Sequence, residues 1–566
     1  MHARRRSAAA AVLVFAASVW IAGTTPRPVV AAGTGELCGP GWQRVTVPDV
    51  QQHSSLADVD GVTGDLWAVG EHHRQNRGRQ AFAVHWDGQS WSKTATVDHD
   101  GANATQLDAV SRAADDDVWA VGSSAFAEGS RFFTEHWNGS AWSAVPSPDV
   151  AGPGERLFAV DAVAADDVWA VGTRGSNSAR TAVLHWDGST WSVVPSPSPV
   201  AGTNLLWAVD AVSSTQAWAF GVTGAGDENG NAVALVLRWN GTAWSVVPEA
   251  DDLPASTYLR DGAVAPDGDV WTAGGAPWHS SITPEAVLQH RQGGAWITRS
   301  SPGDAWQSIS PLSDSDVWLL SESASTAHWD GSAATPLSAP PVRRADGVRF
   351  ATLTAVEALG PAEVWAVGSS DGHTGATTVP VAMRLCPLRV TDDGIAKESS
   401  RVSQGSGTLW RFPATNQSAH DVTDAIGLGP SASPLFGTGR RSPGSTGTFT
   451  LDHAGAFPVV DTVTGHTSEL TVPTEALPRV APLGTTFDVY TAATTVSLGT
   501  SLGSDIRYRV PGSEFWHRLP SATRSAITPF EPEDTGVYTF QARLRNRATG
   551  LVSGWSPFAT IKVTAP

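Results

Sequence analysis

The chain has very little lysine and cysteine, with three lysines and two cysteines among 566 residues. Because nearly all of its positive charge is arginine, the composition is typical of a GC-rich bacterial genome. Acidic residues outnumber basic ones by 55 to 37, which gives a net charge of −18. This surplus argues against a nucleic acid or an anionic membrane as partner, since both need a cationic surface. The sequence also lacks a phosphate-binding loop, an HExxH motif and a CxxC pair.

Apolar runs long enough to span a membrane are also missing after the first residues. Residues 1–32 have the pattern of a signal peptide, with a basic start at Arg4–Arg6 and an apolar stretch at Ala8–Gly23. Small residues at Val30 and Ala32 provide a cleavage site. We therefore expect a secreted protein without a membrane span, exported by either the Sec or the twin-arginine route.

Tryptophan, in contrast, is abundant, and it marks a repeat. Among 25 tryptophans, seven stand in related phrases such as "DDVWAVG" at intervals of about fifty residues. Each unit holds four β-rich runs separated by turns, and none has helical periodicity. A repeat of this length with four strands per unit predicts a β-propeller. The seven head tryptophans are Trp67, Trp119, Trp169, Trp218, Trp271, Trp318 and Trp365.

The last unit lacks its fourth strand, and the N-terminus has a candidate for it. No "WSVVP" phrase follows Val379–Pro387, whereas Gly41–Pro48 reads "GWQRVTVP". We expect this N-terminal strand to complete the last sheet. Cys38 and Cys386 then occupy matching turn positions, and in an exported protein this predicts a disulfide between them.

With its Asp-Gly and Asn-Gly hairpins ("WDGQSW", "WNGSAW", "WDGSTW"), residues 37–387 resemble the seven-bladed β-propeller superfamily. In that family, N- and C-terminal strands share a blade. The hairpins also resemble the Asp box of sialidase-like propellers, but here the aspartate and glycine are adjacent. That box is structural, so the resemblance implies no sialidase activity.

Residues 388–477 resemble a cupredoxin domain. "GTLWRFPATNQSAHDVTD" and "FTLDHAGAFPVVDTVTGHTSELTV" match the two ends of that family, and His420 matches a copper-binding histidine. Asp461 replaces the copper-binding cysteine, and a blue-copper site depends on that thiolate. We therefore expect a copper-free β-sandwich without a cofactor. The alternative is a remodelled site in which His420, Asp461 and His466 hold copper or another divalent metal.

Residues 478–566 resemble a fibronectin type III domain. "GVYTFQARLRN" and "SGWSPFATIKV" match late strands of that family. Phe487 or Val489 is expected in place of the family's early core tryptophan. The chain is therefore expected to be all-β: a seven-bladed propeller closed by an N-terminal strand, followed by two β-sandwiches.

Acids recur at one position of the innermost propeller strand, at Asp60, Asp161, Asp210 and Glu357. Such a partial carboxylate ring has two interpretations. It holds a cation in the channel, or its oxygens accept hydrogen bonds from backbone amides and buried water. We expect the second, because buried polar groups are usually paired.

The loops that vary between units all fall at one end of the propeller, which is therefore the expected ligand face. The candidate contacts there are Glu71, His72, His73, Arg74, Asp227, Glu228, Trp278, His279 and His373. The sequence favours a secreted, non-catalytic binding or adhesion protein for an extracellular glycan or protein. The alternative is an extracellular enzyme, either a polysaccharide hydrolase or lyase, or a metal-dependent oxidoreductase. No spacing of acids or histidines specifies catalysis.

Overall fold

Strands are the dominant element of the described residues, as the computed structural model shows. Among the described residues the single helical element is a 3-10 turn at Pro430–Ala432. The predicted all-β class and the repeated four-stranded sheets are confirmed. The structure describes residues 39–566 apart from 49–52, 75–77, 151–153, 176–178, 226–231, 249–252, 255, 277–283, 302, 324, 341, 345–346, 350, 371–377, 398, 494–500 and 520–523.

The described residues of 39–387 form seven antiparallel four-stranded sheets and a separate two-stranded hairpin of Val342–Arg344 and Gly347–Arg349. In chain order their strands are β1 (Gln43–Val45), β2 (Ser54–Val62), β3 (Asp65–Arg74), β4 (Gly78–Trp86), β5 (Trp91–Thr94), β6 (Ala104–Ala114), β7 (Asp117–Phe126), β8 (Gly129–Trp137), β9 (Trp142–Ala144), β10 (Arg156–Ala164), β11 (Asp167–Arg174), β12 (Arg180–Trp186), β13 (Trp191–Val193), β14 (Thr203–Ser213), β15 (Gln216–Ala225), β16 (Val233–Trp239), β17 (Trp244–Val246), β18 (Tyr258–Val264), β19 (Val270–Ala276), β20 (Glu285–Gln292), β21 (Ala295–Arg299), β22 (Trp306–Ser313), β23 (Asp316–Ser321), β24 (Thr326–Trp329), β25 (Ala334–Leu337), β26 (Val342–Arg344), β27 (Gly347–Arg349), β28 (Ala351–Gly360), β29 (Glu363–Ser370) and β30 (Val379–Leu385).

Sheets 1 to 6 each contain four consecutive strands, starting with β2, β6, β10, β14, β18 and β22. Sheet 7 contains β28, β29 and β30, and its outer strand is β1 from the N-terminus. Gln43 pairs with Arg384 and Val45 with Ala382. The first strands of successive sheets contact one another from β2 to β28, and β28 contacts β2.

Cys38 lies outside the described residues, so its disulfide with Cys386 stays a prediction. The structure does place the neighbouring residue beside Cys386. The backbone amide of Cys386 donates to the carbonyl of Gly39 at 2.9 Å.

The repeated tryptophan phrase builds the interior of each sheet. All seven head tryptophans are buried, as predicted. In sheet 3, Trp169 stacks on His185 with ring centroids 4.3 Å apart. Nε2 of His185 lies 2.8 Å from a carboxylate oxygen of Asp167, the acid two residues before the tryptophan. The acid therefore orients the histidine, and the histidine covers one face of the indole.

Two sheets replace the histidine by arginine. In sheet 7, the guanidinium of Arg384 lies 5.4 Å from the Trp365 ring and pairs with Glu363 at 2.7 Å. In sheet 4, Arg238 lies over Trp218 at the same distance. A cation on an indole face is attracted by the ring quadrupole, so the arginine keeps the packing role of the histidine.

The head tryptophans also connect neighbouring sheets. Trp169 contacts both tryptophans of the outer hairpin of sheet 4. Trp318 of sheet 6 contacts Trp42, which precedes β1, at a centroid distance of 6.1 Å. The N-terminal segment therefore contributes to sheet 7 the aromatic contact that the outer hairpins contribute elsewhere.

The glycine that ends the phrase allows a close approach of two strands. Strand β10 has a bulge between Leu157 and Ala159, opposite Gly172. A Cβ atom on Gly172 would collide with the carbonyl oxygen of Arg156. Only glycine therefore fits opposite the bulge.

The rest of the chain forms two further regions. The second region has two four-stranded sheets, and the third has a three-stranded and a five-stranded sheet. Their strands are β31 (Leu388–Thr391), β32 (Gly394–Ile395), β33 (Ser399–Arg401), β34 (Ser406–Arg411), β35 (Val422–Asp424), β36 (Thr446–Leu451), β37 (Gly455–Asp461), β38 (Thr467–Val472), β39 (Glu475–Leu477), β40 (Val480–Pro482), β41 (Phe487–Tyr490), β42 (Leu502–Arg509), β43 (His517–Arg518), β44 (Ile527–Phe530), β45 (Gly536–Asn546) and β46 (Ala559–Thr564).

The three regions pack on one another. Leu502 and Leu544 of the third region belong to the same hydrophobic cluster as Trp410 and Phe457 of the second. Leu409 of the second region packs into the core of sheets 6 and 7. Strand β39, at the end of the second region as delimited from the sequence, pairs with β41 of the third.

Candidate functional site

A cavity of about 290 Å³ lies between the first strands of the seven sheets, each of which contributes to its lining. The predicted acids lie here, and two further aspartates join them. The carboxyl groups that line the cavity are those of Asp58, Asp60, Asp161, Asp210, Asp261 and Glu357.

Three of the predicted acids accept a hydrogen bond from a backbone amide of the next sheet, which confirms the expected structural role for them. These inter-sheet bonds run from Arg112 to Asp60 (2.6 Å), from Ala211 to Asp161 (2.5 Å) and from Val264 to Asp210 (3.1 Å). Serines at the same strand position do the same, with the amide of Ala162 donating to Ser111 and that of Ala358 to Ser310, both at 3.0 Å. Glu357, one methylene longer, accepts the hydroxyl of Ser310 at 3.3 Å.

Two residues earlier on the strand, a second set of inter-sheet bonds occurs. The amides of Val110, Ile309 and Val356 donate to Asp58 (3.0 Å), Asp261 (2.8 Å) and Ser308 (3.2 Å), respectively. The junction of sheets 5 and 6 uses this set alone. There Ala263, which has no acceptor, occupies the position of the ring acids, and Pro311, which has no amide hydrogen, occupies the donor position.

Burial shifts the proton affinity of these acids. It raises the pKa of Asp58 to about 7 and that of Asp261 to about 6. Burial, reinforced by the Asp161 carboxylate, raises the pKa of Asp210 to about 8. Burial and the nearby Asp60 raise the pKa of Glu357 well above its usual range. The cavity therefore holds several protonated carboxyl groups near neutral pH.

Within the part of the chain that the structure describes, no group of three or more His, Cys, Asp or Glu side chains is arranged to hold a metal ion. At least one oxygen of five of the six carboxyl groups is already used in an inter-sheet bond to a backbone amide.

A second set of side chains lies just before the cavity residues on the first strands, at the end where these strands begin. Trp207 on β14 is half-buried, and the guanidinium of Arg260 on β18 lies 4.3 Å from its ring centroid. Nε of Arg260 is 3.3 Å from Oε1 of Glu322, which also accepts the hydroxyl of Tyr258 at 3.2 Å. An aromatic face, a cation and an anion are therefore fixed together.

Strand β10 repeats this arrangement at the equivalent position. The guanidinium of Arg156 lies 4.8 Å from the ring of Phe158, and two of its nitrogens donate to the carboxylate of Asp108 at 2.7 and 2.9 Å. We call Arg156, Phe158, Trp207 and Arg260 the mouth cluster. These four residues were not predicted, because no sequence motif marks them. Phe158, Trp207 and Arg260 are each the extra residue of a strand bulge.

The predicted loop contacts are only partly within the structure. Glu71 is 3.4 Å from Arg79 and 3.9 Å from the exposed His73, whereas His72 is buried against Phe82. His72 is therefore not a surface contact, because β3 directs its side chain into the sheet core. Arg74 lies in β3, and its side chain is not described. The other five candidates, Asp227, Glu228, Trp278, His279 and His373, lie outside the described residues.

Of the three predicted metal ligands, the structure brings two together. Nδ1 of His420 is 2.8 Å from Oδ2 of Asp461, and its Nε2 is 3.1 Å from Oδ1 of Asp392. Both ring nitrogens of this buried histidine therefore face carboxylates. His466 is exposed and packs against Gly394, away from the pair.

No family model and no curated protein matches the chain. Several solved β-propeller structures are similar to it. "YCF48 bound to D1 peptide" has 16% identity and a TM-score of 0.39, over 61% of this chain and 97% of the other. YCF48 from Cyanidioschyzon merolae has 15% identity and a TM-score of 0.39, over 61% and 98%. Chaetomium thermophilum Sqt1 bound to the N-terminus of ribosomal protein L10 has 13% identity and a TM-score of 0.38, over 61% of this chain and 98% of the other. In the described residues, no helix is long and apolar enough to cross a membrane.

Proposed function

We propose that this chain is a secreted, non-catalytic binding protein that engages an extracellular glycan or protein at the loop end of a closed, seven-bladed propeller. The main support is the use of the cavity acids. Five of the six carboxyl groups already accept a backbone amide of the neighbouring sheet, which gives them a structural role between the sheets. The mouth cluster adds half-exposed arginine and aromatic side chains at the end where these strands begin.

The finer architecture is part of the same proposal. Seven sheets in a cycle of contacts, with β1 as the outer strand of sheet 7, support closure of the propeller by the N-terminal strand. Two facing sheets in each of the other regions support a cupredoxin-like and a fibronectin type III-like sandwich. Phe487 and Val489 are both buried, in keeping with a core role at the expected position.

The mouth cluster is suited to recognition. Its guanidinium groups are held flat on aromatic rings and by carboxylates, so little side-chain entropy is lost when a ligand arrives. Trp and Arg are also the residue types that most often dominate binding energy at interfaces. The second and third regions then act as spacers or accessory binding regions.

The test is a binding screen with the full chain against a glycan array and extracellular proteins. We expect Trp207→Ala and Arg260→Ala each to weaken binding by about ten-fold or more, since hot-spot truncations cost over 1–2 kcal/mol. Gln89→Ala, in an exposed turn at the opposite end, is the matched control and should bind normally. Equal binding by all three variants, or release of cleaved product from a bound glycan, would overturn the proposal.

A further inference from the structure

The third region carries an exposed face on which arginine and aromatic side chains alternate. The guanidinium of Arg507 on β42 lies between two indoles, 4.3 Å from the ring centroid of Trp516 and 4.1 Å from that of Trp555. Arg509 covers Trp516 at 4.3 Å, and Arg543 covers Trp555 at 4.6 Å. We call these five side chains the stacked face.

The "SGWS" segment explains how Trp555 comes to lie on this face. The hydroxyl oxygens of Ser553 and Ser556 accept the backbone amides of Leu544 and Ala542 on β45, both at 3.0 Å. The segment thereby runs along β45 as an additional edge. Trp555, between the two serines, is placed beside the arginines of β42 and β45.

The stacked face has more positive charge than its neighbours neutralise. Burial and the adjacent cations Arg509, Arg543 and Arg518 lower the pKa of Arg507. Asp505 pairs with Arg543 at 2.9 Å and with Arg545 at 2.6 Å. Glu514, the nearby carboxylate, forms no ion pair with a described residue. Clustered like charges repel, and an anion placed between them relieves that repulsion.

One hydrogen-bond donor of the stacked face has no acceptor among the described residues. The Nε of Arg509 is buried and has no hydrogen-bond partner among the described residues. A guanidinium stacked on an aromatic ring keeps its N–H groups in one plane, which suits paired hydrogen bonds to a carboxylate.

Two exposed rings neighbour Trp516, Phe515 in the sequence and Phe558 by contact. Phe515 and Phe558 are 81% and 61% exposed, unusually high for phenylalanine. Phe558 stacks on Trp516 with centroids 6.1 Å apart, and it also lines a cleft of about 680 Å³ between the three regions. The charged residues that line this cleft are Arg44, Arg401, Arg479 and Glu475. Phe558 thus connects two arginine-rich surfaces.

We propose that the stacked face and the adjoining cleft bind an acidic polysaccharide. Uronate carboxylates pair with the stacked guanidinium groups, and the C–H faces of the pyranose rings pack on Phe515 and Phe558. The exposed rings favour a sugar over an acidic peptide, since a charge-only ligand gains nothing from them. This site is separate from the mouth cluster and does not depend on the function proposed for it.

Titration calorimetry of the full chain with polygalacturonate tests the proposal. We expect Arg509→Ala to weaken binding by about ten-fold or more through the loss of a charge-assisted bond. Phe558→Ala should weaken it by about ten-fold through the loss of the ring surface on which the sugar packs. Arg509→Lys should recover only part of the loss, because it keeps the charge without the planar fork. Arg524→Ala, an exposed arginine preceding β44 in the other sheet, is the matched control.

Further measurements separate the outcomes. Thermal unfolding of each variant must stay within a few degrees of the parent, so that Phe558→Ala, at an exposed position, remains informative if Arg509→Ala unfolds. Trp207→Ala should leave polygalacturonate binding unchanged, which distinguishes this site from the mouth cluster. The proposal is overturned if polygalacturonate does not bind, if polyglutamate binds equally well, or if Arg524→Ala weakens binding as much as Arg509→Ala.

Discussion

At the scale of single residues, the cavity carboxyl groups combine two properties that usually exclude each other. Each of Asp58, Asp161 and Asp210 holds a neighbouring sheet through a backbone amide, which favours the ionised form. Each is also buried among other acids, which favours the protonated form more strongly. Protonation removes the mutual repulsion, while one carbonyl oxygen remains to accept the amide.

This arrangement makes the stability of the protein depend on pH in a defined direction. Because the folded-state pKa values lie above the unfolded value of about 4, the folded protein binds more protons between about pH 4 and pH 8. The free energy of unfolding should therefore fall as pH rises through that window. One additional bound proton corresponds to about 1.4 kcal/mol per pH unit. Denaturant unfolding at pH 5, 6, 7 and 8 measures the slope.

Two variants identify the source of that slope. Asp210→Asn keeps an oxygen for the amide of Val264 but no longer titrates, so its slope should be smaller. Asp187→Asn is the control, because hydrogen bonds from Ser189 and Thr190 hold the pKa of this exposed carboxyl at about 2. A parent protein whose stability rises from pH 5 to 8 would contradict the explanation.

At this scale the sequence predicted much of the core and little of the candidate site. Seven repeats fixed the head tryptophans as core, and four ring acids were identified from their spacing. Asp58 and Asp261 were missed, because they recur in only two units. The mouth cluster was missed because residue type varies from unit to unit at its positions, while the bulge that exposes them is a backbone feature.

At the scale of strands and sheets, the junction of sheets 5 and 6 tests the inter-sheet bonds. Ala263 has no side-chain acceptor, and Pro311, which faces it, has no amide hydrogen to donate. Pro311→Ala alone would leave a buried amide unpaired, and we expect a loss of about 1–3 kcal/mol in unfolding free energy. Adding Ala263→Ser supplies the acceptor used by Ser111 and Ser310 elsewhere, and it should recover about 1 kcal/mol.

A double-mutant cycle by chemical denaturation measures this coupling. Ala263→Ser alone is the control for the side chain itself, and it should be neutral or slightly destabilising because Pro311 offers no donor. Purely additive effects of the two substitutions would show that no inter-sheet hydrogen bond forms between positions 263 and 311.

Sheet 7 provides the second prediction at this scale. If Cys38 and Cys386 are linked, the bond closes a loop of roughly 350 residues, and its removal should cost about 6 kcal/mol on the chain-entropy estimate. Mass spectrometry of a non-reduced digest should find the linked peptide, and Cys386→Ser should unfold at a lower denaturant concentration. Two free thiols in the oxidised protein would disprove the pairing.

The pairing of β1 with β30 was accessible from the sequence. The last unit lacks a fourth-strand motif, and a matching motif occurs at the N-terminus. The pairing of Gln43 with Arg384 agrees with this expectation. The packing of Trp42 on Trp318 was not predicted, because contacts between sheets depend on their orientation rather than on strand patterns.

At the scale of the whole molecule, the second and third regions share a hydrophobic core. Their shared cluster includes Leu502, Ala526 and Leu544 from one region and Trp410 and Phe457 from the other. The bidentate pair between Arg411 and Asp316, at 2.7 and 2.9 Å, fixes the second region to sheet 6. Sequence resemblance separates domains by family and cannot reveal such common cores.

The shared core predicts coupled stability. Leu544→Ala should destabilise both regions by about 2–5 kcal/mol, as expected for a buried leucine. Hydrogen exchange followed by mass spectrometry should therefore show faster exchange in β37 and β38 as well as in β45. Ile561→Ala is the control and should affect the second region less, because the second region contributes only Ala454 and Ala476 to the buried cluster of Ile561. Faster exchange confined to the third region in Leu544→Ala would contradict the coupling.

The pairing of β1 with β30 also limits the order in which the sheets form during synthesis. Gln43 is made more than three hundred residues before Arg384, so for most of synthesis this strand has no partner. Sheets 1 to 6 each receive their four strands consecutively and are able to form as they emerge. Sheet 7 forms only after both β1 and β30 have been made. Strand β1, the first described strand of the chain, is therefore among the last to pair.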